Sequence, residues 1–317
     1  MTTSDFGVVF PGQGNKHELV EEALLRHRTH PLVQQLFATF GALEVDDLDL
    51  FDTAVAQPVT YALGIAAVET QFGVGTRLPL VFGHSLGELT AAACAGIIDV
   101  HMGFQLALKR GRLCRDRNGR AEGAMVAVVA TSFHEIEWLR RWVLAQHPGV
   151  LEIAGFNSRR QAVVSGDAPL VARFVELADE EGLRTEPLPI DGAFHSPRMV
   201  VVLPAWRRAV QAAEFRTGHS PFLSTVDARP HTDPDEIREL LIRAMLMPVR
   251  WSETVATARE FGVAGLLDAG PGQTLLTLAK RDPIVPMAAL ADHQPERAPR
   301  AVLPDGPITP EPVTGRG

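Results

Sequence analysis

Long apolar runs are scarce in this chain of 317 residues. The longest, such as AGIIDV and VAVVA, are far shorter than the roughly 20 residues that a membrane-spanning helix needs. The first residues, MTTSDFGVVF, lack the basic start and long apolar stretch of a secretion signal. We therefore expect a cytoplasmic protein that makes no use of a membrane.

Cysteine and lysine are also rare. Cys94 and Cys114 are the only cysteines and form no C-x-x-C pair, which argues against a disulfide framework and against a zinc or other metal site. The net charge of −8 argues against nucleic-acid binding. Most basic residues are arginines, and several cluster in KRGRLCRDRNGR (109–120), which could equally be the solvated face of a helix.

The hydrophobic content of 46% predicts a sizeable core, divided between a large and a smaller domain. FGVVF (6–10) and LPLVF (78–82) have the composition of strands, and each runs into a glycine-rich turn. ELTAAACAGII, after the second turn, favours a helix. A strand, a tight turn and a helix in that order indicate an α/β protein with a parallel sheet.

The pattern changes at Gly123. From there to residue 190 the predicted order is βαββαβ, which is the ferredoxin-like arrangement. We predict that this small subdomain, 123–190, is inserted in a large domain formed by 1–122 and 191–288. The segment 289–317 contains six prolines and little apolar periodicity, so we expect a flexible tail.

The stretch FGHSLGE contains the first candidate for chemistry. Gly83-His84-Ser85-Leu86-Gly87 fits G-x-S-x-G, in which small neighbours allow a serine to project from a strained strand-to-helix turn. The alternative is an ordinary glycine turn in which Ser85 caps the helix.

A serine nucleophile needs a base, and His195 is the best candidate. It lies in PIDGAFHSP, between an apolar strand end and a serine-proline turn, whereas most other histidines have polar surroundings. A hydrogen-bonded core histidine is the alternative. The turn FPGQG could present backbone N–H groups to a reacting oxygen, or it could be only a tight turn.

Seven motifs occur in an order that closely resembles the malonyl-CoA:acyl-carrier-protein transacylases and the acyltransferase domains of polyketide synthases. The motifs are FPGQG, GHSLGE, LKRGRL, NSRRQAVVSG, GAFHSPRM, MPVRW and DAGPGQTL. The resemblance implies an α/β-hydrolase-like large domain with a ferredoxin-like insertion.

The resemblance also implies roles in catalysis. Ser85 would be the acylated nucleophile and His195 its base, oriented by a backbone carbonyl that the alignment of RAMLMPVRW assigns to Ala244. The backbone N–H groups of Gln13 and Leu86 would form the oxyanion hole.

Four further residues would serve the substrate. Arg110, in LKRGRL, matches the arginine that pairs with the malonyl carboxylate, and a planar guanidinium suits that task. Asn157 and His84 would line the substrate pocket. Phe194 would fill the space of an α-methyl group, and this steric difference would favour malonyl over methylmalonyl by a free energy of about 1–3 kcal/mol.

The function implied is transfer of malonyl from malonyl-CoA, through an acyl-Ser85 enzyme, to the phosphopantetheine thiol of an acyl carrier protein. The form GAFHSPRM resembles stand-alone, trans-acting enzymes of polyketide biosynthesis. We expect a monomer with no bound cofactor. The alternatives are an acyltransferase or editing hydrolase for another carrier-bound acyl group, and a non-catalytic module that binds carrier proteins.

Several residues depart from the family pattern. FPGQGNKHELV lacks the usual serine-glutamine after the turn, and NSRRQ has Arg159 where proline is usual. None of these changes removes a catalytic group, but they bear on the CoA entrance and the surface that meets the carrier protein.

Overall fold

Two β-sheets organise the protein, which is described by a computed structural model over residues 5–118, 123–190 and 192–293. The strands are β1 (Phe6–Phe10), β2 (Val81–Gly83), β3 (Gly123–Val129), β4 (Leu151–Phe156), β5 (Gln161–Asp167), β6 (Arg184–Pro187), β7 (Phe222–Ser224), β8 (Arg229–His231), β9 (Gly265–Asp268) and β10 (Met287–Ala289). The helices are α1 (His17–Arg26), α2 (Pro31–Phe40), α3 (Thr53–Phe72), α4 (Gly87–Cys94), α5 (Val100–Asn118), α6 (Phe133–Gln146), α7 (Ala168–Glu180), α8 (Leu203–Gln211), α9 (Pro234–Arg243), α10 (Trp251–Glu260) and α11 (Thr274–Arg281). Short 3-10 helices lie at Val45–Asp47, Pro197–Val201 and Leu290–Asp292.

The larger sheet has the strand order β10-β9-β1-β2-β7-β8. All its pairings are parallel except the antiparallel β7–β8 pair, so the sheet is mixed where the sequence predicts a parallel one. Val8 and Phe10 belong to one buried apolar cluster and Val9 to another. Since successive side chains of a strand point to opposite faces, the sheet lies between two layers of core, which explains the continuous apolar run FGVVF.

The smaller sheet is antiparallel, with the order β4-β5-β3-β6. Its elements follow one another as βαββαβ, as the sequence predicts for 123–190. Val126 and Val128 of β3 pack in a cluster with residues of α6 and α7. Met125 and Ala127, which alternate with them, face a cavity between the two sheets. One face of this sheet therefore has a core of its own, and the other is a wall of the cavity.

Backbone hydrogen bonds join the smaller sheet to the rest of the protein. The N–H of Val249 donates to the carbonyl of Ala154 at 2.9 Å, and the N–H of Phe156 donates to the carbonyl of Val249 at 2.8 Å. A bidentate ion pair between Arg198 and Asp167 adds a second connection. These contacts fix the cavity wall relative to the larger sheet.

The end of the fold lies later than the sequence predicts. The predicted tail begins at Ala289, but this residue ends β10, which pairs with β9. Leu290 is fully buried, and the side chain of Gln71 donates a hydrogen bond to the carbonyl of His293. One buried leucine is too weak a periodic signal to show this in the sequence. The rest of the predicted tail, 294–317, lies outside the described residues.

Within the described ranges, no helix combines the length and apolar character needed to cross a membrane.

Candidate active site

Ser85 lies on a sharp turn between β2 and α4. Its φ of 54° is in the left-handed region, which a serine adopts only at a cost in energy. A Cβ at Gly83 would lie 2.0 Å from the carbonyl carbon of Gly87, and a Cβ at Gly87 would lie 2.1 Å from the carbonyl oxygen of Phe10. Both glycines are therefore required by close backbone approach, and the turn has the geometry of a nucleophile elbow.

His195 lies beside this serine. Its Nε2 is 2.7 Å from Ser85 Oγ, and its own φ of 55° is also left-handed. The next residue, Ser196, is fully buried and donates a hydrogen bond from its hydroxyl to the carbonyl of Ala193 at 2.6 Å. The loop that carries the histidine is thus held in a strained but fixed conformation.

The other ring nitrogen of His195 is bonded to a different residue from the one predicted. Nδ1 lies 2.9 Å from the carbonyl oxygen of Met247, whereas the sequence assigns this role to Ala244. Ala244 ends α9 as its C-cap, and its carbonyl has only a weaker influence on the ring. The two residues lie three positions apart, and the turn that follows α9 brings the carbonyl of Met247 to the ring. Because a carbonyl only accepts, Nδ1 bears the proton and Nε2 is free to take one from Ser85.

The ring of His195 is neutral at physiological pH. Burial, and then the positive charge of Arg110, lower its pKa to about 3. A neutral imidazole within hydrogen-bond distance of a serine hydroxyl is the arrangement that general-base catalysis requires.

Arg110 brings a positive charge next to Ser85. Its side chain is buried, and Nη2 lies 3.3 Å from Ser85 Oγ. Nη1 donates a hydrogen bond of 2.7 Å to Oε1 of Gln57, which is an uncharged partner. Burial lowers the pKa of the guanidinium, because the interior disfavours its charge. An anion that binds here would offset that cost.

The turn FPGQG packs against the serine turn. The N–H of His84 donates to the carbonyl of Phe10 at 2.8 Å, and a Cβ at Gly12 would lie 3.2 Å from the carbonyl oxygen of His84. Gln13 lines the cavity beside Ser85, and Leu86 is buried at the start of α4. The two residues predicted for the oxyanion hole therefore lie on adjoining turns.

A cavity of about 440 Å³ between the two sheets opens onto Ser85, His195 and Arg110. The three predicted pocket residues, Phe194, His84 and Asn157, also line it. Nε2 of His84 lies 3.0 Å from Oδ1 of Asn157, so the ring is turned toward the smaller sheet. Burial lowers the pKa of His84, which favours the neutral ring as donor in this bond.

Three residues of this region have no assigned role in the sequence. Gln57 contacts Arg110, Met247 contacts His195, and Glu88 is a buried carboxylate below the elbow. Glu88 accepts hydrogen bonds from Ser224 and Thr225 of the neighbouring strand region. The one available signal is Gln57 itself, the only amide side chain in the largely apolar run TAVAQPVTYALGIAAV. No group of three or more metal-ligating side chains occurs in the part of the chain that the structure describes.

Comparison with known proteins agrees with this geometry. A family model described as acyl transferase domain matches residues 22–289. The malonyl CoA-acyl carrier protein transacylase of Escherichia coli (strain K12) is 30% identical over 292 residues, which cover 88% of this chain and 93% of that protein.

Solved structures are similar over most of their length. FabD from Acinetobacter baumannii has a TM-score of 0.81 at 27% identity, covering 91% of this chain and 94% of that one. A malonyl-transacylase solved in complex with the acyl-carrier protein of a type II polyketide synthase has a TM-score of 0.78 at 28% identity, covering 90% and 96%. The chain therefore belongs to the acyl transferase domain family, which includes the malonyl CoA-acyl carrier protein transacylases among these relatives.

Proposed function

We propose that the protein transfers a malonyl group from malonyl-CoA to the phosphopantetheine thiol of an acyl carrier protein. The observation that carries this proposal is the position of Arg110, a buried guanidinium 3.3 Å from the nucleophile oxygen. Nothing in serine acyl transfer itself requires a cation there. A cation at this position suits a substrate with a free carboxylate close to its thioester, because the carboxylate would pair with the guanidinium while the thioester carbonyl lies at Ser85.

The first half-reaction forms an acyl-enzyme. Ser85 Oγ attacks the thioester carbonyl, and its proton passes to Nε2 of His195 across the 2.7 Å hydrogen bond. The negative charge that develops on the carbonyl oxygen is stabilised by the backbone N–H groups of Gln13 and Leu86. The carbon–sulfur bond then breaks, and the CoA sulfur takes the proton from His195.

The second half-reaction reverses these steps with another thiol. His195 removes the proton of the carrier protein's phosphopantetheine thiol, and the sulfur attacks the acyl carbonyl. The bond between the acyl carbon and Ser85 Oγ then breaks, and Ser85 Oγ takes the proton from His195. Because the same cavity receives both thiols in turn, the mechanism is ping-pong and needs no bound cofactor.

The similarity to known enzymes extends these assignments to the domains. We assign the larger sheet and its helices to an α/β-hydrolase-like domain and 123–190 to a ferredoxin-like subdomain, in agreement with the strand order β4-β5-β3-β6. The structural match to a polyketide malonyl-transacylase supports a role in polyketide biosynthesis. A cytoplasmic location and a monomeric state stay predictions.

The test is a two-stage mass measurement. The intact protein is incubated with malonyl-, methylmalonyl-, acetyl- and butyryl-CoA, and a holo acyl carrier protein is then added. We expect an adduct with malonyl-CoA, absent from Ser85→Ala, that moves to the carrier protein.

Other outcomes would replace the proposal. Labelling by other acyl groups but not by malonyl would identify an acyltransferase of different specificity. An adduct that is released as free acid in the presence of carrier protein would indicate an editing hydrolase, and no adduct with any donor would favour a non-catalytic binding module.

A further inference from the structure

A continuous chain of hydrogen bonds runs from Arg110 to the turn FPGQG. Nη1 of Arg110 donates to Oε1 of Gln57 at 2.7 Å. Nε2 of Gln57 donates to Oγ1 of Thr53 at 3.1 Å. Oγ1 of Thr53 donates to Oε1 of Gln13 at 2.6 Å. The chain therefore connects the proposed carboxylate site to a residue of the proposed oxyanion hole without passing through Ser85.

The direction of every bond in this chain is fixed by the arginine. A guanidinium can only donate, so the amide oxygen of Gln57 must face it and the amide nitrogen must face Thr53. The Thr53 hydroxyl accepts from that nitrogen and has one proton to give, which goes to Gln13. If the amide of Gln57 turned over, its oxygen would compete with Gln13 for the hydroxyl proton.

The helices that carry the chain pack at close range. Thr53 and Gln57 are four residues apart on α3, so they share one face of the helix, and both are buried. A Cβ at Gly111 of α5 would lie 2.8 Å from the carbonyl oxygen of Thr53. Glycine next to Arg110 thus allows α5 to approach the first turn of α3.

Capping fixes that first turn further. The carboxylate of Asp52 accepts a hydrogen bond from the N–H of Ala54 at 2.8 Å, as an N-cap does. The same carboxylate pairs with Arg115 of α5 at 3.0 Å. The backbone position of Thr53 is therefore set from both helices, and its hydroxyl is a rigid donor to Gln13.

We infer that Thr53 is a positioning residue for acyl transfer. Its hydroxyl holds the side chain of Gln13 in place, and thereby the turn whose backbone N–H stabilises the oxyanion. The direction in which the hydroxyl donates is set by Arg110 through Gln57. The inference rests on the proposed function for the roles of Arg110 and Gln13. It assigns to Thr53 no contact with substrate.

The informative substitution is Thr53→Val, which keeps the shape of the side chain and removes the hydroxyl. It leaves the amide oxygen of Gln13 without this donor and the amide nitrogen of Gln57 without this acceptor. We expect acylation of Ser85 to slow by about tenfold to a hundredfold, the range set by loss of one buried hydrogen bond that aligns an oxyanion donor. KM for malonyl-CoA should change by no more than about twofold, because binding of the thioester does not use the hydroxyl.

Two controls separate positioning from stability. Thr53→Ser restores the hydroxyl and should recover most of the acylation rate. Thr60→Val makes the same substitution at another buried threonine of α3 and should leave acylation by the folded enzyme at the wild-type rate. Wild-type acylation rates in Thr53→Val, or a Thr53→Ser variant as slow as Thr53→Val, would overturn the inference.

The chain can also be tested for coupling. If Gln57 and Thr53 act as one unit, the double variant Thr53→Val/Gln57→Leu should be little slower than the slower single variant. If the rate losses of the two single variants multiply in the double variant, Thr53 and Gln57 contribute independently, which would contradict a role for the hydrogen-bond chain as one unit.

The choice of acyl donor distinguishes this inference from the proposed function. Each variant is assayed with malonyl-CoA and with p-nitrophenyl acetate, an activated ester without a carboxylate, which uses the oxyanion hole but does not need Arg110. A wild-type enzyme that reacts with the ester and not with malonyl-CoA would refute the proposed function. Slow reaction of Thr53→Val with the ester would still support the positioning role, and an unchanged rate would refute it.

Discussion

Replacing Arg110 by alanine should change which acyl group the enzyme accepts. The buried guanidinium can donate two parallel charge-assisted hydrogen bonds to a carboxylate, each worth about 1.5–3 kcal/mol. Their loss corresponds to a fall in kcat/KM for malonyl-CoA of about 10²–10⁴. Acetyl-CoA has no carboxylate, so its kcat/KM should stay level or rise once the unpaired cation is gone.

The assay follows CoA release in the presence of holo carrier protein, with malonyl-CoA and acetyl-CoA as alternative donors. Arg112→Ala is the matched control, because Arg112 lies on the same helix and is exposed. Arg110→Lys keeps the charge but not the planar fork, and should recover only part of the activity. An Arg110→Ala enzyme that still prefers malonyl over acetyl as strongly as the wild type would refute the carboxylate assignment.

Three further predictions concern pH and packing. The lowered pKa of His195 predicts that kcat/KM stays level as pH falls through 6.5. In Arg110→Ala the fall of kcat/KM on the acid side should begin at higher pH, because a positive charge that disfavours protonation of His195 is removed. An unchanged acid side of the profile would contradict this cause. Burial raises the pKa of Glu88 from 4.5 to about 7, so its contribution to the free energy of unfolding falls as pH rises from 4.5 through 7. In urea unfolding, Glu88→Gln should therefore be more stable than the wild type by up to about 3 kcal/mol at pH 8, but not at pH 4.5. Equal effects of the substitution at both pH values would contradict the raised pKa. Gly87→Ala places a Cβ against the carbonyl of Phe10 and should abolish acylation, and normal labelling by malonyl-CoA would show that the elbow does not need this close approach.

The parts of the site that were predictable from sequence are the ones fixed by local geometry. Gly83 and Gly87 flank Ser85 because the turn leaves no room for a Cβ at either glycine, and all three residues lie within five consecutive positions of the sequence. The βαββαβ order of 123–190 was likewise visible, because amphipathic helices and alternating strands have different periods.

The parts that could not be predicted depend on contacts between distant segments. The 2.9 Å hydrogen bond of His195 Nδ1 goes to the carbonyl of Met247, while the predicted carbonyl of Ala244 has the weaker influence on the ring. The course of the turn after α9 decides this, and all backbone carbonyls look alike in a sequence. The partnership of Gln57 with Arg110 joins positions 53 residues apart, and only the packing of α5 on α3 brings them together. Leu290 belongs by composition to a proline-rich segment, and only the pairing of β10 with β9 shows that the folded part of the chain extends to it.

The central claim is that Ser85 carries the malonyl group between two thiols. The most direct measurement is peptide mapping by tandem mass spectrometry, after the protein is mixed with malonyl-CoA and quenched with acid before carrier protein is added. The account predicts one malonyl group, attached to Ser85, that disappears when holo carrier protein is added before the quench. Malonyl found on another residue, or transfer to the carrier protein at the wild-type rate by Ser85→Ala, would contradict it.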